Sequence, residues 1–389
     1  MKIVHIITRM IIGGAQENTL LSCAGQAARG HEVTLLAGPT AGPEGSLVEQ
    51  AKTLPGVRYE EISHLVRNFR PWHDIPVPYQ MRARLAVLQP DVVHTHSSKA
   101  GIVGRFAAAK ACPQAVIIHT IHGLAFHEHQ PPIITAVYAE LERRAARFTD
   151  RIISVSDAMT DQAVAARVAP REKCTTIYSG MEVDKFLNPS EPPGRVRERY
   201  SIPASAILVT KVARLFHLKG HAAALRAVAS LAPRHPTLYL LFVGDGILRH
   251  RLERLADRLG LRERVRFAGL VPPEAVPSIL HASDLVVHAS LHEGLARVLP
   301  QALLSGRPVI SYDVDGAGEV VRTGETGLLV APGDWHGLAR AIETLVSDHL
   351  LRQRLGARGR ELCRDRFDHR RMVDEIEKVY LAALAARKA

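Results

Sequence analysis

The sequence predicts an α/β protein made of two doubly wound domains. Short apolar strands alternate with helical segments through both halves of the chain, and turns that contain glycine follow several of the strands. With 389 residues, the chain is longer than one ordinary hydrophobic core supports. The proline-rich segment 188–200 is predicted to link a domain at 1–187 to a second domain at 201–367.

Composition and charge narrow the class of protein. Apolar residues make up 47% of the chain and aromatic residues 5%, as in a well-packed soluble protein. The formal charge of +11 indicates nucleic acid, anionic lipid or a phosphorylated ligand as a partner, or a chain that is basic without a functional reason. The cysteines lack metal-ligand spacing, and His5 and Arg9 interrupt the first apolar run, so we expect reduced thiols in a cytoplasmic protein without a secretory signal.

The first domain begins with a βαβ pattern. Strand Lys2–Thr8 runs into Gly13 and Gly14, and a helix over Ala15–Arg29 precedes strand His31–Ala37. Paired glycines let backbone amides approach an anion or a substrate hydroxyl closely, although a tight turn without a ligand has the same pattern. The GxGxxG fingerprint of dinucleotide-binding proteins is absent, which disfavours a dehydrogenase.

The segment from Gly38 to Leu85 is predicted to be irregular and rich in loops. It carries basic and aromatic side chains in alternation: Arg67, Phe69, Arg70, Trp72, Tyr79, Arg82 and Arg84. Arginine attracts phosphate and aromatic rings insert at the headgroup level, so this pattern suits a lipid surface or an anionic acceptor. A solvated loop is an equally good interpretation.

Histidines follow two strands of the first domain. One strand ends in His94 and continues to His96, and the next, Val116–Ile118, leads to His122 and Gly123. Ligands of open parallel sheets gather beyond the carboxyl ends of the strands, so these side chains are expected to face a crevice. Because no carboxylate or cysteine with ligand spacing accompanies them, a metal site is not predicted. His122 is expected to donate a hydrogen bond to a sugar hydroxyl or a phosphate.

The second domain repeats the pattern and adds charges at strand ends. Strand Ile207–Val212 leads to Arg214 and Lys219, which could clamp one diphosphate from two sides or could be ordinary surface charges. Strand Tyr239–Val243 leads in the same way into a glycine turn at Gly244.

The stretch from His292 to Glu319 has the order expected of a ligand-binding loop. Glu293 precedes a glycine turn, a helix is predicted over Val298–Ser305, and strand Pro308–Tyr312 follows. The first turn of a helix presents unpaired amides and a positive dipole, which suit a diphosphate. A carboxylate beside that turn can accept hydrogen bonds from sugar hydroxyls.

Taken together, these motifs resemble those of the retaining GT-B glycosyltransferases of family 4. The motifs that carry the resemblance are, in chain order, Gly13-Gly14, Thr120-Ile121-His122-Gly123, Arg214 with Lys219-Gly220, Val243-Gly244-Asp245-Gly246, Glu293-Gly294, Pro308-Val309-Ile310 and Glu319. The resemblance implies two facing Rossmann-like domains, with a C-terminal helix, 368–389, that crosses back to the first. It also implies transfer of a sugar from a nucleotide-diphosphate sugar, expected to be a UDP-sugar, to a glycan or lipid-linked acceptor in cell-surface polysaccharide or glycolipid synthesis.

The resemblance also implies roles for residues at matching positions. Arg214 and Lys219 would neutralise the donor diphosphate and the charge that grows on the leaving group. Glu293 would hold hydroxyls of the transferred sugar, and His122 would contact that sugar and the phosphate from the first domain. The other donor-binding positions are Gly244, Gly269, Leu270, Val271, Ala296, Arg297, Val298 and Gln301, and the acceptor side consists of Gly13, Gly14 and His122.

Neither a cofactor nor a metal is implied, because positive side chains take the role that an ion has in other transferases. Nucleic acid is not expected as a partner. The resemblance and the basic segment together predict a cytoplasmic enzyme that contacts the anionic inner face of the cell membrane.

One position departs from the family pattern. The family has two glutamates with seven residues between them, and here the second position is Gln301, an amide without charge. Two alternatives stay open: a sugar-nucleotide epimerase of the same two-domain build, and a non-catalytic protein that binds nucleotide sugars or anionic lipid. The epimerase would need carboxylates as proton carriers, and no such set is evident in the loops of the first domain. A binding protein would not need Arg214, Lys219, Glu293 and His122 all together.

Overall fold

The computed structural model describes residues 1–42, 44–68, 71–127 and 129–388. The chain forms two compact units, of which the first comprises Met1–Met181 and Asp368–Ala389 and the second comprises Glu182–Phe367.

The described part of the first unit contains a sheet of seven strands. They are β1 (Lys2–Arg9), β2 (Glu32–Gly38), β3 (Val57–Glu61), β4 (Val92–His96), β5 (Val116–Ile121), β6 (Arg151–Ser154) and β7 (Cys174–Thr176). Neighbouring strands are parallel, in the order β3-β2-β1-β4-β5-β6-β7. The strand order reverses between β1 and β4, and a crevice at the carboxyl ends of two such strands is the usual ligand position in open α/β sheets.

Helices connect these strands and cover the sheet. They are α1 (Gly14–Ala28), α2 (Val48–Lys52), α3 (Pro71–Asp74), α4 (Val77–Leu88), α5 (Ser98–Ala111), α6 (Pro132–Ala146) and α7 (Asp157–Ala165). Ser156 caps α7 by accepting a hydrogen bond from the amide of Met159, as expected for a serine directly before a helix.

The second unit is also doubly wound around a parallel sheet. Its helices up to the first strand are α8 (Val183–Leu187) and α9 (Pro193–Arg199), and its strands are β8 (Ile207–Val212), β9 (Leu238–Val243), β10 (Val265–Phe267), β11 (Leu285–His288), β12 (Val309–Tyr312) and β13 (Gly327–Val330). The strand order is β10-β9-β8-β11-β12-β13. The remaining helices are α10 (His221–Leu231), α11 (Arg249–Arg258), α12 (Val276–Ala282), α13 (Val298–Leu304), α14 (Trp335–Ser347) and α15 (His349–Arg366).

The last helix, α16 (His369–Lys388), belongs to the first unit although the second unit precedes it in the chain. Its Met372 and Tyr380 are buried in one apolar cluster with Ile118 and Ile153 of the first sheet. The predicted return of the C-terminal helix and the predicted pair of doubly wound domains are therefore confirmed.

The segment 38–85 is more regular than its composition predicts. It contains strand β3 and most of helix α4, because Val77, Met81 and Leu85 place one buried apolar face at helical spacing. Phe69 and Arg70 of the predicted basic and aromatic cluster lie outside the described residues.

The predicted linker 188–200 lies inside the second unit, whose first residue is Glu182. Helix α9 occupies much of it, and the fully buried Val196 joins an apolar cluster of that unit. Proline at the start of this helix is favourable because the first helical positions need no amide donor, so the prolines mark a helix start here.

Two further features concern the helices and the cysteines. Within the described ranges, no helix combines the length and the apolar content that a bilayer crossing requires. The four cysteines are free thiols, and three of them are buried.

Candidate active site

The loops that follow β8 and β11 carry the charged residues predicted to bind a donor. These two strands are neighbours in the sheet, and the strand order reverses between them. Their carboxyl ends therefore form the topological switch point of the second unit, where open α/β sheets bind ligands.

Lys219 and Glu293 meet at this switch point. The ammonium of Lys219 lies 2.5 Å from Oε1 of Glu293, and the two side chains are 20% and 22% exposed. Nε2 of His288, at the end of β11, lies 3.4 Å from the same oxygen. The site thus places a cation, which suits phosphate, directly beside a carboxylate, which suits sugar hydroxyls.

Electrostatics keep Glu293 ionised. Burial raises the pKa of its carboxyl, but the charge of Lys219 and the hydrogen bond with His288 lower it by more, so the net pKa lies well below the ordinary value. The buried Lys211 of β8 adds a second amine beneath the site. Its Nζ has no hydrogen-bond partner among the described residues, and burial lowers its pKa to about 7 against the opposing effect of Glu293.

Asp315 and His288 were not singled out from the sequence. Oδ2 of Asp315 accepts a hydrogen bond of 2.7 Å from the amide of Glu293 and lies 3.4 Å from Nδ1 of His292. Asp315 adopts a left-handed conformation with φ of 48°, which is uncommon outside glycine and typical of constrained loops. Both positions lie at or just after the carboxyl end of a strand, and that position is the signal that could have identified them.

The loop after β8 is held against the loop after β11 by its backbone. The carbonyl of Leu218 accepts a hydrogen bond of 2.8 Å from the amide of Leu291, and Leu218 itself has a φ of 64°. Gly220 follows with a φ of 69°, and a Cβ on this glycine would lie 1.8 Å from the carbonyl oxygen of Ala289. This close approach sets the position of Lys219 relative to Glu293.

We expect Gly220→Ala to destabilise the second unit by more than about 3 kcal/mol, because the methyl group would overlap a backbone carbonyl. Gly260→Ala is the matched control: Gly260 has the same φ of 69° and open space around its missing Cβ. Gly260→Ala should lower the free energy of unfolding by roughly 1 kcal/mol, because alanine is strained at a positive φ. Chemical denaturation of both variants measures the difference, and equal costs would show that the contact with Ala289 is unimportant.

The other predicted donor positions lie in neighbouring loops of the second unit. The guanidinium of Arg214 lies over the ring of Phe216, with 5.1 Å to the centroid. The amide of Gly244 donates a hydrogen bond of 2.9 Å to the carbonyl of Gly269, and both glycines have positive φ. Of the residues that follow Gly269, Leu270 is exposed and Val271 packs partly against the core.

The helix after Glu293 begins where the sequence predicts. Arg297 directly precedes α13 and Val298 is its first residue, whereas Ala296 is almost fully buried in the turn before it. Gln301 lies within this helix and is half-buried. The predicted residues Ala296, Arg297, Val298 and Gln301 thus lie in the turn after Glu293 and in the helix that follows this turn.

In the first unit, Gly13 and Gly14 start α1 after the switch-point strand β1. Gly13 is extended, with φ of −179°, and its carbonyl accepts a hydrogen bond of 3.0 Å from the amide of Glu17. A Cβ on Gly13 would approach only the flexible end of Gln16 closely, so this backbone does not itself demand glycine. Whether the turn meets an acceptor stays a prediction.

His122 is half-buried at the end of β5 and joins a cluster of buried histidines. Its Nε2 lies 3.0 Å from Nδ1 of His96, and Nε2 of His96 lies 2.9 Å from Nδ1 of His5. Nitrogens of His5, His94 and His96 all lie within 4.8 Å of one another, a grouping that the sequence did not suggest. The signal for it was an ionisable residue, His5, in the middle of an apolar strand.

Two family models match the chain. The model described as Glycosyltransferase Family 4 matches residues 12–185, and the one described as Glycosyl transferases group 1 matches residues 195–362. The chain belongs to the GT-B glycosyltransferases of group 1. The two matches fall on the first and second units, in the order that the motifs of the sequence predict.

Curated relatives of this glycosyltransferase are named as glycosyltransferases as well. It is 28% identical over 313 residues to glycosyltransferase EpsD of Bacillus subtilis, with 79% of this chain and 81% of the relative covered. It is also 28% identical over 295 residues to the UDP-Gal:alpha-D-GlcNAc-diphosphoundecaprenol alpha-1,3-galactosyltransferase of Escherichia coli, covering 75% of each.

A solved structure supports the fold of this glycosyltransferase. Anabaena HepE, in complex with UDP-glucose, superposes with a TM-score of 0.84 at 23% identity, covering 98% of this chain and 100% of that one. The predicted activity, transfer of a sugar from a nucleotide sugar, is confirmed at the level of the family. The epimerase and binding-protein alternatives are not favoured.

Proposed function

We propose that this enzyme transfers a hexosyl unit from a UDP-sugar, with retention of configuration and without a divalent metal, to a glycan or lipid-linked acceptor. The contact between Lys219 and Glu293 carries the proposal, because a cation that suits phosphate lies 2.5 Å from a carboxylate that suits sugar hydroxyls. In a nucleotide-diphosphate sugar, the diphosphate and the sugar are adjacent in the same way. The choice of uridine rests on the names of the relatives, one of which uses UDP-Gal.

The proposed mechanism assigns charge stabilisation to this chain's own side chains. Lys219 and Arg214 would neutralise the diphosphate as the bond to the sugar breaks, and Glu293 would orient the sugar. The leaving phosphate oxygen would take the proton of the acceptor hydroxyl on the same face, so no separate carboxylate base is needed. The remaining donor positions, among them Gln301 at the ribose, keep their predicted roles in this proposal.

Incubating the purified full chain with a panel of radiolabelled nucleotide sugars and a membrane-lipid extract tests the proposal. We expect transfer from a UDP-sugar, an α-linked product from an α-linked donor, and an unchanged rate in excess chelator. A rate that vanished in chelator and returned with magnesium or manganese would contradict the metal-free site. An inverted product would contradict retention.

The acceptor is proposed to be lipid-linked because the first unit exposes large apolar side chains. Trp72, Ile75 and Tyr79, three and four positions apart around α3 and α4, are 85%, 61% and 67% exposed. Exposed apolar groups of this size mark sites of membrane or protein contact. Arg84, part of the predicted basic cluster, instead forms two hydrogen bonds with Glu60, so its charge is already neutralised.

We expect Trp72→Ala to reduce co-sedimentation with anionic vesicles by roughly fivefold, since a partly inserted indole contributes about 1 kcal/mol. Binding should also fall as salt rises, because the positive charge of the chain contributes to it. Leu350→Ala in the second unit, where Leu350 is 75% exposed, serves as the control and should bind like the wild type. Equal recovery of wild type and Trp72→Ala would favour a soluble acceptor.

A further inference from the structure

Lys211 differs from the other cations of the second unit because it is buried without a partner. It lies near the carboxyl end of β8 and is 1% exposed. Its Nζ has no hydrogen-bond partner among the described residues. A buried amine costs free energy unless another group pairs with it, and native proteins keep such groups mainly where they have a function. The position of Lys211 beneath the proposed donor site indicates where that function lies.

The neighbours of Lys211 on the sheet and on α10 are uncharged. Lys211 lies opposite Phe242 in the register of β8 and β9, and the ring of His221, the first residue of α10, packs edge-on against Phe242 at 5.2 Å between centroids. Burial and the charge of Lys211 lower the pKa of His221 to about 2, so this imidazole is neutral. Neither ring can act as a counter-charge for the amine.

The charges that act on Lys211 come from the two loops of the donor site. Burial lowers the pKa of Lys211, the carboxylate of Glu293 raises it and the ammonium of Lys219 lowers it further. His288, at the end of β11, is neutral near pH 7 because burial lowers its pKa. Two amines therefore share one carboxylate, and Lys219 holds the direct contact of 2.5 Å with it.

A bound diphosphate would change this balance of charges. Lys219 is the more exposed of the two amines, at 20% against 1% for Lys211, so it is the one that a phosphate group can reach. Once its ammonium donates hydrogen bonds to phosphate oxygens, its interaction with Glu293 weakens. A carboxylate in a site closed by a ligand stays ionised only if a cation balances it, and Lys211 is an amine that already interacts with Glu293.

We propose that Lys211 is a positioning residue for the donor: it takes over as the counter-charge of Glu293 when the diphosphate draws Lys219 away. Lys211 thereby keeps the carboxylate ionised and in place for the sugar hydroxyls without itself touching the ligand. The inference rests on the proposed function in placing the diphosphate at Lys219.

A double-mutant cycle on the full chain tests the exchange of counter-charges without a ligand, because Lys219→Ala imitates the loss of Lys219 to phosphate. Urea unfolding at pH 7 is followed by the fluorescence of Trp335 in the second unit, with Trp72→Phe in every variant. Lys211→Met should raise the urea midpoint when Lys219 is present, since it replaces an unpaired buried amine with an apolar chain. In Lys219→Ala it should lower the midpoint, because it removes the amine that balances Glu293.

Lys173→Met is the matched control for this cycle. Lys173 belongs to the first unit, burial lowers its pKa as well, and its Nζ donates a hydrogen bond of 2.8 Å to the carbonyl of Ala146. It should shift the midpoint equally with and without Lys219. A shift from Lys211→Met with the same sign in both backgrounds would overturn the proposal.

Proton uptake during UDP binding is a second readout, which a merely structural lysine would not change. UDP is almost fully deprotonated at pH 8, since the last pKa of a phosphate monoester is about 6. Free Lys211 is mostly neutral at that pH because its pKa is about 7. If the complex makes it the counter-charge of Glu293, the wild type should take up more than about half a proton per UDP, and Lys211→Met almost none.

Calorimetry in two buffers with different heats of ionisation counts these protons. Equal uptake by the wild type and Lys211→Met would contradict the proposal, and this count decides the matter if the double variant does not fold. A folded wild type that does not bind UDP would refute the proposed donor. The urea cycle, which contains no ligand, would then decide the role of Lys211 by itself.

Discussion

Lys219→Ala should lower kcat/KM by roughly thirtyfold to thousandfold, which corresponds to about 2 to 4 kcal/mol of transition-state stabilisation. The physical reason is that the ammonium at the end of the β8 loop is a preorganised positive charge at the position proposed for the diphosphate. Its nearest partner in the free enzyme is Glu293, at 2.5 Å. The variant therefore also leaves this half-buried carboxylate without its closest cation, and the pKa of Glu293 should rise.

Two controls separate this effect from a general loss of charge. Lys219→Arg keeps the positive charge and should retain part of the activity, although the guanidinium is larger and planar. Lys52→Ala breaks an exposed pair with Glu49, 2.8 Å long, and should leave the rate unchanged because such surface pairs contribute little. Steady-state kinetics and circular dichroism check the outcome. A folded Lys219→Ala enzyme with a near-normal rate would place the diphosphate elsewhere.

Glu293→Gln should reduce kcat by roughly tenfold to a hundredfold while changing the Kd for the nucleotide much less. A carboxylate that holds the transferred sugar acts on the group whose bonds change, so its loss is felt mainly in the transition state. An amide of the same shape accepts through one oxygen only and carries no charge to balance Lys219. Kinetics with the identified donor and calorimetry with UDP measure the two quantities.

Gln301→Glu is the reverse substitution, from an amide to a carboxylate, on the helix that follows Glu293. A carboxylate there would accept two hydrogen bonds from ribose hydroxyls, so nucleotide binding should tighten by about 1 kcal/mol and kcat should change little. If Glu293→Gln weakened UDP binding and left kcat intact, Glu293 would belong to the nucleotide site. If Gln301→Glu weakened the nucleotide, Gln301 would serve a local structural role and the ribose site would lie elsewhere.

Local features of the sequence were enough to predict most of the fold. The strand over Ile207–Val212 and the helix that starts at Val298 were predicted from apolar runs and glycine breaks, which act over a few residues. Charged residues just after strands identified Lys219 and Glu293 as candidates, because the carboxyl ends of parallel strands share one edge. Composition misled where Val77, Met81 and Leu85 form a buried face inside a segment rich in polar and aromatic residues, and again at 188–200, where proline starts helix α9.

Tertiary structure decided which of these residues meet. Lys219 and Glu293 are 74 positions apart and come together because β8 and β11 are neighbours in the sheet, an order set by crossovers that local periodicity does not encode. Tyr380 reaches His94 across 286 positions because α16 packs back onto the first sheet. The sequence alone thus determined the elements and the chemical groups at their ends, whereas the pairing of those groups depended on long-range packing.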